Sequence, residues 1–214
     1  MIGRYIVRRW LQLPKSFMMT IMPKISSSRK ADTHERIVEV ASRAIRRSGY
    51  AGTGVADVMK EAGLTHGGFY AHFASRDALL AEAADRAGAR AVADAARVAA
   101  TVPPEQALEA LLRAYLSKAH CDSPELGCPV AALGSELPRQ APEVRRAATA
   151  RIKEMIDLVA RQAPDWGQPG AHGRALATIA TMVGGIIVAR AVDDPKLSEA
   201  MLEAAFKQLL PPAG

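Results

Sequence analysis

The feature that most constrains this chain is the spacing of its apolar residues, which keeps a helical period almost without interruption from residue 31 onward. Runs of strand-favouring residues are scarce, and aromatic residues make up only 5% of the chain. Ala, Leu, Arg and Glu dominate instead, and all four favour helices. We therefore expect an all-α protein of about nine helices, with three short ones at the front and a bundle behind.

The front of the periodic region predicts three helices in quick succession. Asp32 or Thr33 can cap a first helix that ends at Ser48. A second helix is expected over residues 55–62 and a third over residues 65–73. These segments form a compact front domain over residues 31–76.

The remaining residues, 77–214, predict a larger helical domain. Ser75 caps its long first helix, with Asp77 complementing the helix dipole. The last two long helices are expected at about residues 174–192 and after Pro195. No stretch reaches about 18 uninterrupted apolar residues, so we expect no integral membrane protein.

Positive charge is concentrated at the start of the chain. The formal net charge is +6, and residues 1–30 hold seven basic residues and no acidic one. We expect residues 1–30 to be a basic, disordered arm, because Pro and Ser interrupt any long helix there. Two interpretations stay open: residues 1–21 are an over-long gene start, or the arm lies along a DNA backbone or minor groove, with Arg29 and Lys30 best placed.

Residues 63–73 separate into a buried and an exposed face. Leu64, Phe69 and Phe73 have the spacing of a core face, and the polar and small residues fall on the other side. Two short helices joined by a tight turn and packed on a longer helix describe a helix-turn-helix. The pair Gly67-Gly68 is unusual, since each Gly in a helix costs about 1 kcal/mol relative to Ala. Close approach of the backbone to a groove explains the pair, and a loose turn is the alternative.

The run Gly-Leu-Thr-His-Gly-Gly-Phe-Tyr-Ala-His-Phe-Ala-Ser-Arg-Asp-Ala-Leu at residues 63–79 resembles the signature of TetR-type (TetR/AcrR) transcriptional repressors. The resemblance is specific over about residues 33–82. It implies an N-terminal three-helix DNA-binding domain and a C-terminal helical ligand-binding and dimerisation bundle. It also implies a homodimer that binds a pseudo-palindromic double-stranded DNA operator and is released by a small-molecule effector.

The resemblance assigns DNA contacts by position. The matching residues are Thr53, Gly54, Thr65, His66, Gly67, Gly68, Tyr70, His72 and Arg76, and the basic arm separately adds Arg29 and Lys30. His66, assisted by Thr65, is expected to read bases, and Tyr70 and Arg76 to contact phosphates. Gly54 and Ala56 depart from the family pattern, which puts base contacts from the second helix in doubt.

The resemblance also places an effector pocket among the middle helices and a dimer interface on the last two long helices. Candidate ligand-binding residues are Tyr115, His120, Cys128, Met155, Trp166 and Met182, each of which fits a simple core as well. The run Gly-Cys-Pro-Val at residues 127–130 is similar to a segment of one family branch in which a cysteine senses electrophiles. Cys128 at a helix start would favour thiolate, and a buried, inert thiol is the alternative.

No nucleotide-binding, hydrolase or metalloprotease motif occurs, and the two cysteines and scattered histidines fit no metal site. We therefore expect no enzyme, no cofactor and no metal, in a protein of the reducing cytoplasm. The alternative function is a helical protein-interaction module that does not bind DNA.

Overall fold

The computed structural model describes residues 15–210, with side chains described from Arg29 onward. Within that range it holds nine α-helices, three short 3₁₀ helices and no strand, so the expected all-α fold is confirmed. The described residues divide after Ile37 into two compact units. The predicted boundary at residue 76 lies inside the second unit, at the start of a helix.

The helices follow one another with short connections. The α-helices are α1 (Lys15–Ser48), α2 (Val55–Glu61), α3 (Arg76–Ala99), α4 (Ala107–Tyr115), α5 (Lys118–Asp122), α6 (Pro129–Leu133), α7 (Pro142–Gln162), α8 (Ala171–Ala191) and α9 (Pro195–Leu209). The 3₁₀ helices are His66–Ala71, Pro104–Gln106 and Leu137–Arg139.

Helix α1 begins earlier than the sequence predicts. It starts at Lys15 and continues through Pro23, whereas the predicted start was Asp32 or Thr33. The Thr33 hydroxyl donates to the carbonyl of Arg29 at 2.8 Å, the back-bond of a threonine inside a helix, and therefore caps nothing. The part of the predicted arm before Lys15 lies outside the described residues.

Helices α3 and α7 pack closely along each other and form one side of the second unit. A Cβ at Gly88 of α3 would lie 2.5 Å from the Cβ of Arg151 on α7, so this crossing requires glycine. Beside it, Arg151 donates to both carboxylate oxygens of Asp85 at 2.8 and 2.9 Å. Helices α8 and α9 pack on the other side, where Met182, Ile186 and other apolar residues of the core are buried.

Candidate nucleic-acid interface and ligand pocket

The turn between α2 and the 3₁₀ helix His66–Ala71 is built on Gly63. The amide of Leu64 donates to the carbonyl of Met59 at 2.8 Å, and the amide of Gly63 donates to that of Lys60 at 3.0 Å. This pair of bonds is the Schellman motif, and it places Gly63 at φ 72, where a side chain would be strained. The local sequence therefore sets the angle between the two helices.

Two phenylalanines hold the 3₁₀ helix against the core. Phe69 and Phe73 are buried, and their rings stack with centroids 5.5 Å apart. The helix is shorter and tighter than the predicted α-helix over residues 65–73, because its two glycines have little preference for an α-helix. The segment is thus fixed from behind by aromatic packing.

The outer face of this segment carries the side chains that the sequence predicts for DNA contact. Thr65, His66 and Gly67 are exposed. Tyr70 is 75% exposed, although its ring meets the buried Phe69 ring edge-on at 5.2 Å. We name Thr65, His66, Gly67, Gly68 and Tyr70 the outer ridge.

Nothing within the described residues requires glycine at the centre of the outer ridge. A Cβ at Gly67 would meet no atom within 4 Å, and one at Gly68 would make ordinary contact with Met59 at 3.7 Å. Neither residue has a positive φ. The usual intramolecular reasons for glycine are therefore absent at both positions, with open space at Gly67 and ordinary contact with the buried Met59 at Gly68.

Two other predicted contacts point inward. Thr53 is 5% exposed, and its hydroxyl donates to the carbonyl of Gly49 at 2.7 Å. Arg76 is half-buried, and its guanidinium donates to the carbonyls of Tyr50 and Thr53. Both side chains stabilise the turn between α1 and α2, a role that the sequence did not reveal because their acceptors are backbone atoms.

The remaining predicted contacts are dispersed. Gly54 is the N-cap residue of α2 and offers no side chain, and His72 is half-buried with its ring 6.4 Å from that of Phe73. Arg29 and Lys30 are exposed on α1 in the first unit. Within the second unit, the structure groups five of the predicted residues in the outer ridge and leaves Thr53, Gly54, His72 and Arg76 outside it.

A cavity of about 630 Å³, counting the open space at its mouth, lies among the middle helices. Four of the predicted ligand residues line it: Tyr115, Cys128, Met155 and Met182. The same four line an adjoining cavity of about 650 Å³, which His120 also borders. Trp166 borders neither cavity and is 53% exposed in a loop, so the structure does not place it with the other five.

A helix break positions Tyr115 and His120. The sequence predicts one helix through Ala119, but α4 ends at Tyr115, and Ser117 caps α5 by accepting from the amide of His120 at 3.2 Å. The break brings the rings of Tyr115 and His120 to 4.5 Å in an edge-on arrangement. This part of the cavity wall is therefore formed by the end of α4, which carries Tyr115, and by α5, which carries His120.

The hydrogen bonds of His120 fix its protonation. Its Nε2 accepts from the amide of Cys128 at 3.0 Å, so Nδ1 carries the proton and donates to the carbonyl of Tyr115 at 2.7 Å. Burial lowers the pKa of His120 below its ordinary value of 6.5, with the nearby Arg190 charge acting in the same direction. The ring is neutral and both its nitrogens are used.

Sequence reasoning missed two connections between the cavity wall and the helix-turn-helix. Arg46, buried near the end of α1, donates to the carbonyl of Gly127 at 3.0 Å. The Glu136 carboxylate accepts from the amides of Tyr50 at 2.9 Å and Ala51 at 3.5 Å. The partners are 81 and 86 residues apart along the chain, so no local pattern could have indicated them.

Helix α8 carries an apolar face with little cover. It is long and apolar enough to cross a membrane by length and composition, yet only 22% of its apolar window is buried. Leu176 and Ile187 are 45% and 42% exposed, and a Cβ at Gly184 would meet nothing within 4 Å. Together with Ala180 they lie along one side of the helix. A single helix of this kind is weak evidence for a membrane segment, since helices of soluble proteins satisfy the same test.

Two family profiles match the chain, and together they cover more than two thirds of it. The profile of bacterial regulatory proteins of the tetR family matches residues 37–83. The profile of the C-terminal domain of LmrA/YxaF-like transcriptional regulators matches residues 104–207.

Individual relatives agree with the profiles. The HTH-type transcriptional regulator LmrA of Bacillus subtilis is 26% identical over 163 residues, which are 73% of this chain and 86% of LmrA. A TetR transcriptional regulator from Chloroflexus aurantiacus is 29% identical, with a TM-score of 0.70 over 85% of this chain and 94% of that one. The reduced form of Escherichia coli NemR is 18% identical, with a TM-score of 0.71 over 85% of this chain and all of that one, a likeness of fold.

Proposed function

Because this chain belongs to the TetR family of transcriptional regulators, with a helix-turn-helix DNA-binding domain, we propose that it is a repressor. It binds a pseudo-palindromic operator as a homodimer in the cytoplasm and is released by a small-molecule effector. The observation that carries the proposal is the outer ridge, which packs from behind on Phe69 and Phe73 and has open space at Gly67.

Different residues of the outer ridge contact different parts of the DNA. His66 and Thr65 are exposed and carry hydrogen-bonding side chains, so they read base edges in the major groove. The backbone at Gly67 and Gly68 approaches the duplex closely. The Tyr70 hydroxyl contacts a phosphate, which fixes register without conveying sequence.

The other predicted contacts have different roles. Arg76 and Thr53 position the turn between α1 and α2, since their donors are directed at its carbonyls. The basic residues Arg29 and Lys30 add sequence-independent attraction to phosphates. His72 is half-buried and lies outside the outer ridge, so its contact with DNA is a peripheral one.

The uncovered face of α8 supports the homodimer. Leu176, Ala180, Gly184 and Ile187 form a stripe in which two small residues lie between two large ones, so an identical helix can approach closely. Leu197, 46% exposed at the start of α9, extends the apolar surface. We infer that a second copy of this chain covers these helices, as the family resemblance implies.

The connections at Arg46 and Glu136 support a route for effector release. Both bonds start from the segment between α5 and α7, which also carries Cys128 and borders the cavity. An effector that displaces this segment also displaces, through the bonds of Arg46 and Glu136, the end of α1 and the turn that follows it. The two DNA-binding heads of the dimer then change their separation and no longer match the half-sites.

Cys128 supports a narrower form of this proposal, in which the effector is an electrophile. The thiol borders the cavity, and Cys128 is the N-cap residue of α6. Its burial favours the inert alternative. Iodoacetamide distinguishes the two, since a sensing thiol reacts faster than free cysteine and an inert one more slowly.

The decisive experiment is selection of binding sites from random DNA, followed by affinity measurements over a range of salt concentrations. We expect an inverted repeat and a steep linear loss of log affinity with log salt. His66→Ala should change the selected sequence, whereas Thr149→Ala on the exposed side of α7 should not. Absence of any selected sequence, together with affinity insensitive to salt, would favour the protein-interaction module instead.

A further inference from the structure

We propose that the cavity takes a neutral, mainly apolar molecule that carries one hydrogen-bond acceptor, and that the Tyr115 hydroxyl donates to this acceptor. The inference rests on the proposed function, because it names the chemical class of the effector. The family relationship does not supply this class.

The walls of the cavity are apolar. Side chains of Val92, Val130, Ile152, Met155, Ile179 and Met182 come from four different helices and line the same space. Burial of apolar surface is therefore the main source of affinity that this cavity can offer.

The charged groups at the cavity are already paired. Of the described residues that line the first cavity, Arg151 carries a charge, and it is bound by Asp85 and by Glu154 at 2.8 Å. Asp94, which lines the adjoining cavity, pairs with Arg90 at 3.7 Å and with Arg97. A charged ligand would lose its hydration and find no unpaired counter-charge on these walls.

Arg190 lies behind the wall and lines neither cavity. Its guanidinium donates to the carbonyls of Cys121 at 2.9 Å and His120 at 2.6 Å, across the end of α8. It thus holds the segment that carries His120 in place. Its Nη1 is buried and makes no hydrogen bond within the described residues, but a ligand in either cavity does not reach it, because Arg190 lines neither.

Among the described side chains that line the two cavities, the Tyr115 hydroxyl is the buried polar group without a hydrogen bond of full geometry. The Cys128 thiol interacts with this hydroxyl, but a thiol is a weak acceptor that an oxygen of a ligand can replace. Burial raises the pKa of Tyr115 well above its ordinary value, with the Cys128 side chain adding to the effect, so the hydroxyl stays protonated and can donate. His120 offers nothing comparable, because both its nitrogens are used.

A buried donor without a strong acceptor is costly, and a ligand that supplies one removes that cost. A carbonyl or ether oxygen does so without bringing a charge. The site therefore distinguishes a ketone from a hydrocarbon of the same shape, and a ketone from the corresponding carboxylate.

The test uses the full-length protein without DNA and a panel of probes. The panel consists of aromatic methyl ketones with one to three rings, each with its isopropenyl hydrocarbon and its carboxylate. Thermal shift identifies binders, and isothermal titration calorimetry gives their affinities. We expect ketones to bind most tightly, about tenfold better than the matched hydrocarbons, which corresponds to one neutral hydrogen bond.

Tyr115→Phe should abolish the preference for the ketone and leave the affinity for the hydrocarbon unchanged. Thr149→Ala is the control, since Thr149 is exposed on α7, lines neither cavity and should alter neither. The proposal is overturned if carboxylates bind best, if ketones and hydrocarbons bind the wild type equally, if Tyr115→Phe keeps the preference, or if no probe binds.

Operator binding, measured separately, keeps this result distinct from the proposed function. A ketone that binds with the expected preference but does not release the operator supports the ligand class and refutes its effector role. Operator binding by a protein that takes no ketone refutes the ligand class alone.

Discussion

Replacing Gly67 by alanine is expected to stabilise the folded protein and to weaken DNA binding at the same time. The added Cβ meets nothing within 4 Å, and Gly67 has no positive φ, so the folded state accepts alanine without strain. Alanine also reduces the freedom of the unfolded chain, which stabilises a protein by about 0.4–1 kcal/mol at a compatible site. For a chain of this length that corresponds to a rise in Tm of about 1–4 °C.

The opposite effect is expected at the DNA. If the backbone at Gly67 approaches the duplex, the methyl group occupies space that the groove needs, and overpacking of this kind costs about 1–3 kcal/mol. Operator affinity should then fall between about fivefold and 150-fold. Fluorescence anisotropy with the selected operator measures the affinity, and a circular dichroism melt measures the stability.

Thr149→Ala is the matched control. Thr149 is exposed on α7, and alanine there should also raise the stability by a few tenths of a kcal/mol through helix propensity, with no effect on DNA affinity. Wild-type affinity in Gly67→Ala would refute the close approach at the outer ridge. Loss of stability in Gly67→Ala would instead refute the conclusion that the fold does not need glycine at this position.

The remaining predictions concern the other parts of the mechanism. Tyr70→Phe should weaken binding to the operator and to random DNA by the same factor, about tenfold, because a phosphate contact carries no sequence information. Glu136→Ala should speed hydrogen exchange of the Tyr50 amide and lower the free energy of unfolding by about 1 kcal/mol, since that amide loses its acceptor. If the proposed homodimer forms through α8, Ile187→Glu should convert it to a monomer in light scattering and abolish operator binding, because a carboxylate would be buried in the apolar interface. The free energy of unfolding should fall as pH drops below about 6.5, since the pKa of His120 is lowered in the folded state and the unfolded chain takes up its proton first.

Each of these has an outcome that would contradict it. Tyr70→Phe should not change the selected sequence, and a shift in site preference would place Tyr70 among the base contacts. Unaltered exchange in Glu136→Ala would mean that the carboxylate does not hold the turn. Thr149→Glu is the charge control for Ile187→Glu and should remain a dimer. For the pH dependence, the free energy of unfolding of His120→Gln should vary less with pH than that of the wild type. An unchanged slope would assign the effect to other histidines.

Much of the candidate DNA interface could be predicted from local sequence. The Schellman turn at Gly63, the cap at Ser75 and the burial of Phe69 and Phe73 each depend on residues a few positions apart. Once the apolar face of residues 63–73 is recognised, the remaining residues of the segment are predicted to be exposed, and they form the outer ridge. The start of α1 could not be predicted, because Thr33 can cap a helix or bond back inside one, and only the surrounding structure decides between the two.

The effector side of the molecule depends on contacts between distant residues. Sequence could name Tyr115 and His120 as polar residues among apolar ones, but the break at Leu116 that brings them together and the tautomer of His120 follow from bonds made in the folded chain. Trp166 is an example of a prediction that fails for the same reason. Its aromatic side chain suggested a pocket residue, but in the fold it is exposed and lines neither cavity.

Helix periodicity, caps and turn glycines act over a few residues, so the sequence predicted most of the helices, the exposed face of the third and the family resemblance, but not the start of α1 or the break after Tyr115. The tertiary structure alone decided that Arg76 and Thr53 bond to a turn, that Arg46 and Glu136 connect the cavity wall to the helix-turn-helix, and that the Tyr115 hydroxyl is buried without a hydrogen bond of full geometry. The physical reason is that a hydrogen bond depends on which donor and acceptor the packed helices bring within about 3 Å, and helix packing is a property of the whole chain.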